Sequence, residues 1–189
     1  EAVDLLIREF ANLNRADELL KSFKRLSLDQ TGAHMRDFKL ATTIERALFA
    51  MKPELGETVL QVDLDPSIEM HSLPYAIEQI VSNLVANAIK HGLENSTDPR
   101  ISITASRVPG EERVSIVVAD NGSGIDPKVM PMIFNPFFTT RRGRGGSGMG
   151  LSVVRYLAET VLGATIQVQS SSQGTRFELN VPLKTEGVW

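Results

Sequence analysis

The sequence predicts a two-layer α/β sandwich, in which helices cover a mixed sheet and a long helix precedes the domain. Helical and strand patterns mix along the chain, and strands that follow one another form antiparallel pairs. These pairs favour the sandwich over a doubly wound parallel sheet. The length of 189 residues suits one domain of about 150 residues with an appended element.

The first 28 residues are predicted to form one helix, because they contain no Gly or Pro and carry an apolar stripe. The stripe comprises Val3, Leu6, Phe10, Leu13, Ala16, Leu20 and Phe23. Asp29–Gly32 then ends the helix. A stripe of this length needs cover, either from a coiled-coil-like partner helix or from the chain's own domain.

The middle of the chain is predicted to contain a helix over 42–51, a strand over 58–64 and a longer helix over 72–91. We expect Ser72 to be the N-cap of the longer helix, with Pro74 in its first turn. Gly92 is expected to end it in the left-handed conformation.

Two hairpins and a further helix are predicted in the second half, where Gly and Pro separate β-branched runs. The hairpins pair 101–105 with 114–119 and 164–169 with 175–181, and the helix covers 149–162, with Gly163 at its end. The segment between Asn121 and Met149 is expected to be irregular, apart from a short helix that Asp126 and Pro127 begin.

Composition excludes several classes of function. The chain has 20 basic and 23 acidic residues, which argues against a nucleic-acid partner or contact with an anionic membrane. The absence of Cys excludes disulfides, Cys-ligated zinc and a thiol nucleophile. No run approaches the roughly 18 apolar residues of a membrane span, so we expect a cytoplasmic segment. The chain does not begin with Met, which leaves room for a membrane anchor upstream in a longer protein.

Polar side chains share one sector of the helix over 72–91. Asn83, Asn87, Lys90 and His91 lie on this sector, although Asn is a poor helix former. The two amide oxygens suit a hard cation such as Mg²⁺, with Lys90 towards a phosphate. The alternative is a solvated face without a ligand.

A carboxylate and two glycines follow the strand over 114–119. Asp120 stands at the strand end, where it can accept a hydrogen bond from an exocyclic amine. Gly122 and Gly124 let a flat ring approach the backbone. An ordinary turn is the alternative interpretation.

An aromatic cluster, Phe134–Phe138, precedes a glycine-rich run that ends at the predicted helix beginning near Met149. Arg141, Arg142 and Arg144 add positive charge, and the N–H groups of a helix start attract phosphate. A flexible linker is the alternative. The GxGxxG spacing from Gly143 is not preceded by a strand, and the chain has no Walker A lysine and no protein-kinase motif set.

In this order, the three features resemble the ATP-binding domain of bacterial sensor histidine kinases, within the superfamily that includes gyrase, Hsp90 and MutL. The resemblance covers about residues 37–185 and implies the Bergerat-type ATP-binding fold. Its motifs are an N box over 83–91, a first glycine box over 120–125, an F box over 134–138, a second glycine box over 146–151 and a last hairpin beginning at 174–177.

The resemblance implies ATP and Mg²⁺ as cofactors and gives roles to named residues. Asn83, Asn87 and Lys90 would be catalytic, with Asn87 on Mg²⁺ and with Lys90 and His91 towards the phosphates. Asp120 would read the adenine amine. The other implied nucleotide-binding residues are Gly122, Gly124 and Ile125 beside the base, Phe134 of the F box, and Gly146, Ser147, Gly148, Met149, Gly150 and Leu151 of the lid.

The resemblance also implies partners. Residues 1–30 would be the second helix of a dimerisation and phosphotransfer hairpin, through which the intact protein forms a homodimer. The γ-phosphate of ATP would pass to a His on that hairpin and then to an Asp of a response regulator receiver domain. The chain departs from the family here, because His34, His71 and His91 lack the acidic residue that follows the acceptor His.

Two rival functions stay open on the sequence alone. An ATPase of the gyrase or Hsp90 kind carries a Glu one turn before the Mg²⁺-binding Asn, where this chain has Asn83. The other rival is a regulatory module that binds ATP without phosphotransfer.

Overall fold

The computed structural model describes residues 34–94, 96–141 and 146–185. The helix predicted over residues 1–28 and the hairpin segment assigned to residues 1–30 lie outside these residues, as does the glycine-rich stretch 142–145. Those predictions therefore stay predictions.

The main sheet has five strands in the order β2–β4–β5–β7–β6. Their bounds are β2 Val59–Leu64, β4 Arg100–Arg107, β5 Arg113–Asp120, β6 Thr165–Ser171 and β7 Gly174–Pro182. Both predicted hairpins, β4–β5 and β6–β7, are confirmed as antiparallel pairs, whereas β2 lies parallel to β4. Burial alternates along β4 and β7, so one face of the sheet carries the core.

Helices cover that face. They are α1 Leu40–Ala50, the short α2 Lys52–Leu55, α3 Pro74–Asn87 and α4 Gly150–Arg155. The helix α3 packs between α1 and α4, and its apolar side is fully buried, with Ile77 and Leu84 each 1% exposed. The predicted class, helices on a mixed sheet, is confirmed. Within the described ranges, no helix is long and apolar enough to cross a membrane.

A second, two-stranded sheet was not predicted. Its strands are β1 Arg36–Lys39 and β3 Glu69–Ser72, which pair antiparallel. The prediction of Ser72 as an N-cap is wrong, because Ser72 ends β3 and its Oγ lies 2.6 Å from Oγ1 of Thr185. The cap position belongs to Leu73, which has no side-chain hydrogen bond to offer.

The helices α3 and α4 each continue into a wider π-helical turn, over Ala88–Gly92 after α3 and over Tyr156–Val161 after α4. The prediction that Gly92 takes a left-handed conformation is wrong, because the π turn continues through it. Gly163 does take a left-handed conformation, with φ +62°, and ends its helix as predicted. A π turn often marks a functional site, and the first of these two turns carries Lys90 and His91.

Candidate nucleotide site

A cavity of about 380 Å³ opens between α3, the irregular segment after β5 and the start of α4. The fold brings most of the predicted site residues to its wall. They are Asn83, Asn87, Lys90, His91, Asp120, Gly124, Ile125, Gly146, Ser147, Gly148, Gly150 and Leu151. Residues that are up to 68 positions apart in sequence thus share one cavity of a size that suits a small ligand.

Three predicted site residues, Gly122, Phe134 and Met149, lie behind this wall. A Cβ on Gly122 would be 2.3 Å from the carbonyl oxygen of Gly92, so this glycine allows close backbone packing. The ring of Phe134 meets the ring of Phe177 edge-on at 6.4 Å. Met149 is buried at 6% exposure. The three residues support the cavity, and none lines it.

Asp120 forms one end of the cavity, where β5 ends. Its Oδ1 accepts hydrogen bonds from the backbone N–H of Gly122 at 2.9 Å and of Thr175 at 3.3 Å. Burial raises the pKa of the carboxyl above its ordinary value, although these two hydrogen bonds lower it in part. With Oδ1 held by the backbone, Oδ2 is available to a donor in the cavity. A half-buried carboxylate in this position suits an amine.

The turn after Asp120 needs its glycines for close packing. Gly124 has φ +73°, and a Cβ there would lie 1.9 Å from the carbonyl oxygen of Ser171. Gly174 has φ +129°, and its Cβ would lie 1.9 Å from the carbonyl oxygen of Asp120. The β6–β7 turn is therefore pressed against the segment that follows Asp120.

Asn83 and Asn87 stand one turn apart on α3, and both line the same cavity. A Cβ on Gly150 would lie 3.7 Å from Oδ1 of Asn87 and 3.9 Å from Oδ1 of Asn83, so both amides converge on the start of α4. The Nδ2 of Asn87 is buried and has no hydrogen-bond partner among the described residues. A buried Nδ2 group without a protein partner indicates a ligand that offers an acceptor, such as a phosphate oxygen.

The donor set at this wall suits a hard cation held mainly by its own ligands. Within the described ranges, no group of three His, Cys, Asp or Glu residues could hold a metal ion. Amide oxygens remain, and Mg²⁺ commonly binds through one or two protein oxygens together with phosphate and water. The Asn87 amide therefore fits Mg²⁺ that arrives with a phosphate-bearing ligand.

Basic groups surround the π turn that follows α3. Arg141 donates hydrogen bonds to the carbonyl oxygen of Lys90 and, at 2.5 Å, to Oε1 of Glu94. Thr140 Oγ1 lies 3.4 Å from Nδ1 of His91. Desolvation at the cavity wall, followed by the positive charge of Arg141, lowers the pKa of His91 below its ordinary value. Lys90 brings positive charge to this wall, whereas His91 offers a hydrogen-bonding ring.

A base for activating water is not found beside the amides. Among the described residues, Asp120 and Asp126 are the only carboxylates that line the cavity, and Asp126 caps the next turn through its hydrogen bond with the N–H of Lys128. Glu78 on α3 pairs with Arg46 of α1, away from the cavity. The described part of α3 therefore places no carboxylate beside the two amides, where a base for activating water would be expected.

Several lining residues were not assigned from the sequence, among them Ile133, Thr139, Thr140 and Thr175. Thr139 and Gly146 meet closely, since a Cβ on Gly146 would lie 2.6 Å from Oγ1 of Thr139. Thr175 directly follows Gly174 in the predicted hairpin, so its place in a motif could have indicated a site residue. Ile133 lies in an irregular segment without periodicity, and nothing in the sequence indicates it.

The family comparison agrees with this geometry. Residues 73–185 match the family described as histidine kinase-, DNA gyrase B-, and HSP90-like ATPase. The chain is 31% identical to the alginate biosynthesis sensor protein KinB of Pseudomonas aeruginosa, over 95% of the chain and 30% of that protein. It is 36% identical to the autoinducer 2 sensor kinase/phosphatase LuxQ of Vibrio harveyi, over 68% of the chain and 15% of that protein. The chain thus spans under a third of these relatives.

Solved structures share the fold. The catalytic domain of histidine kinase ThkA in a nucleotide-free form aligns with TM-score 0.70 and 25% identity, covering 80% of this chain and 97% of that one. The Acinetobacter baumannii histidine kinase AdeS aligns with TM-score 0.67 and 22% identity, over 94% and 82% of the two chains, which shows the fold alone. The chain therefore belongs to the histidine kinase-, DNA gyrase B- and HSP90-like ATPase family and carries the ATP-binding catalytic domain of a two-component sensor histidine kinase.

Proposed function

We propose that the cavity binds Mg-ATP with adenine at Asp120 and the phosphates towards Asn87 and Lys90, and that the γ-phosphate then passes to a His on a dimerisation hairpin. A receiver-domain Asp of a response regulator takes the phosphate in the next step, and the intact protein acts as a homodimer. The observation that carries the proposal is the composition of one cavity wall, which combines the Asp120 carboxylate with the Asn83 and Asn87 amides and with Lys90.

The residues act by binding, orienting and balancing charge, because phosphoryl transfer asks mainly for positioning. Asp120 accepts from the adenine amine, and Gly124 and Ile125 line the cavity beside it. Lys90 offsets phosphate charge, and a ring nitrogen of His91 donates a hydrogen bond to a phosphate oxygen. Bound Mg²⁺ neutralises charge on the phosphate oxygens, and the Asn87 amide is the protein group that would hold it.

Transfer joins the acceptor His nitrogen to the γ-phosphorus as the bond from that phosphorus to the β,γ-bridging oxygen breaks, with ADP as the leaving group. On this route the nucleophile is a ring nitrogen of the acceptor His and not a water molecule. The route therefore needs no carboxylate that activates water. No carboxylate stands beside Asn83 on the described helix α3, which supports this route over hydrolysis. The alignment to named sensor kinases supports it as well.

The function is tested by mixing this chain with γ-labelled ATP, Mg²⁺ and a separately produced hairpin that carries the acceptor His. We expect acid-labile phosphate on the hairpin and none on this chain, with little free phosphate. An Asn87→Ala chain should lose the transfer, whereas Gln79→Ala, an exposed amide on the same helix, should retain it.

Other results identify the rival functions. Binding of ATP without transfer to the hairpin would indicate a regulatory module. Rapid release of phosphate without a hairpin would indicate an ATPase of the gyrase kind. Label on this chain that disappears on replacing His34, His71 or His91 would make that His the acceptor.

A further inference from the structure

The Ser170 hydroxyl in β6 lies behind the Asp120 end of the cavity and makes three polar contacts. Its Oγ accepts from the backbone N–H of Ile125 at 2.8 Å. The same atom lies 3.3 Å from the carbonyl oxygen of Gly174 and 3.0 Å from Oγ1 of Thr175. Two of the four residues, Ile125 and Thr175, line the cavity.

The direction of these bonds follows from the number of protons. A hydroxyl has one proton and two lone pairs, an amide N–H only donates, and a carbonyl oxygen only accepts. Ser170 therefore makes all three bonds in one arrangement: it accepts from Ile125, donates to Gly174 and accepts from Thr175. In this arrangement the Thr175 proton points to Ser170 and away from the cavity.

We propose that Ser170 is a positioning residue which turns the Thr175 hydroxyl into an acceptor for the base, so that this end of the cavity prefers an amine over a ring carbonyl. The backbone N–H of Thr175 donates to Oδ1 of Asp120 at 3.3 Å, so the residues that carry the two acceptors are neighbours, and both line the cavity. An exocyclic amine has two protons for such a pair, whereas a carbonyl at the same ring position is repelled by it. The inference rests on the proposed function, because it assumes adenine at Asp120.

The test compares the dissociation constants of ATP and inosine triphosphate, which carries a carbonyl where ATP has its amine. In Ser170→Ala the Thr175 hydroxyl loses its acceptor and can donate to that carbonyl. We expect the preference for ATP over inosine triphosphate to narrow by about threefold or more. Ser172→Ala, an exposed serine in the adjoining turn, should leave the preference unchanged. If Ser170→Ala weakens the binding of both nucleotides equally, Ser170 has only a structural role, and the proposal is overturned.

Thr175→Val provides the second measurement, because it removes the hydroxyl and keeps the side-chain shape. We expect it to weaken ATP and to leave purine riboside triphosphate unchanged, because that nucleotide keeps the unprotonated N1 of ATP and lacks only the amine. In the Thr175→Val background, adding Ser170→Ala should leave the preference for ATP over inosine triphosphate unchanged. Equal weakening of ATP and purine riboside triphosphate in Thr175→Val would contradict the acceptor assignment, even if Ser170→Ala did not fold.

The two proposals fail in different ways. If Asp120→Asn leaves ATP binding intact, adenine does not lie at Asp120 and the proposed function is wrong. If Asp120→Asn weakens ATP while Ser170→Ala leaves the nucleotide preference unchanged, only the role of Ser170 is wrong.

Discussion

Replacing Asn87 with alanine is expected to weaken Mg-ATP binding at least tenfold, about 1.4 kcal/mol, while the domain stays folded. The Asn87 amide is buried beside the start of α4, and its Nδ2 has no partner among the described residues. Removing it therefore breaks no hydrogen bond to the part of the chain that the structure describes. Alanine is also the better helix former, by up to about 0.7 kcal/mol.

Isothermal titration with Mg-ATP and a thermal melt check this expectation together. Gln79→Ala is the matched control, because it removes an exposed amide from the same helix. The affinity of the control should equal that of the unaltered chain. An Asn87→Ala domain that binds Mg-ATP normally would remove Asn87 from the site, and one that melts early would show that the amide supports the fold.

Replacing Asp120 with asparagine is expected to weaken ATP binding by about 10- to 100-fold. The substitution puts an NH₂ group in place of Oδ2, so two hydrogen-bond donors, this group and the adenine amine, then face each other. The change keeps Oδ1, which accepts from the N–H groups of Gly122 and Thr175. GTP lacks the amine at this position, so it should bind weakly to the unaltered chain. Asp63→Asn, on the exposed edge strand β2, is the control that leaves both affinities unchanged.

Acid should weaken ATP binding through the same carboxyl. Burial raises the pKa of Asp120, and a protonated carboxyl no longer offers a free acceptor, so affinity falls as pH drops towards that raised pKa. The phosphates of ATP titrate too, and this also changes ATP affinity with pH. The Asp120→Asn chain separates the two effects, because it keeps the pH dependence caused by the phosphates and lacks the part caused by Asp120. An identical pH profile in both chains would rule out titration of Asp120 as a cause.

The effect on stability has the opposite sign. A folded-state pKa above the unfolded value means that the folded state holds the proton more tightly, so ionised Asp120 lowers the free energy of unfolding at neutral pH. Asparagine removes that penalty. We therefore expect Asp120→Asn to unfold at an equal or higher denaturant concentration, although it binds ATP poorly.

The comparison of nucleotides gives the contradicting result for base recognition. If the unaltered chain binds ATP and GTP with equal affinity, Asp120 does not recognise the adenine amine.

Long periodic elements were the predictable part of the fold. Alternating β-branched residues indicated β4, β5 and β7, and a wide apolar side indicated α3, because these elements bury one face each. The four-residue strands β1 and β3 are too short for a pattern to emerge. Ser72 followed by Pro74 looked like a helix start, but Thr185 from the end of the domain pairs with that serine instead. Such long-range partners are not visible in a local pattern.

The site divides in the same way. Asn83 and Asn87 were identifiable because helix interiors disfavour Asn, and Asp120 because a carboxylate ended an apolar strand. Gly122 was placed beside the base, whereas its lack of a Cβ serves close packing on Gly92. The wall residue Ile133 comes from an irregular segment whose path depends on tertiary contacts. Sequence motifs thus indicated the polar residues of the cavity wall more completely than the residues that shape the rest of it.

A crystal structure of this domain with Mg²⁺ and a non-hydrolysable ATP analogue tests the proposed Mg-ATP binding mode most directly. We expect the adenine amine within about 3 Å of an Asp120 carboxylate oxygen. We also expect an Asn87 oxygen about 2.1 Å from Mg²⁺. Adenine bound beside Lys90, or nucleotide bound outside the cavity, would contradict this binding mode.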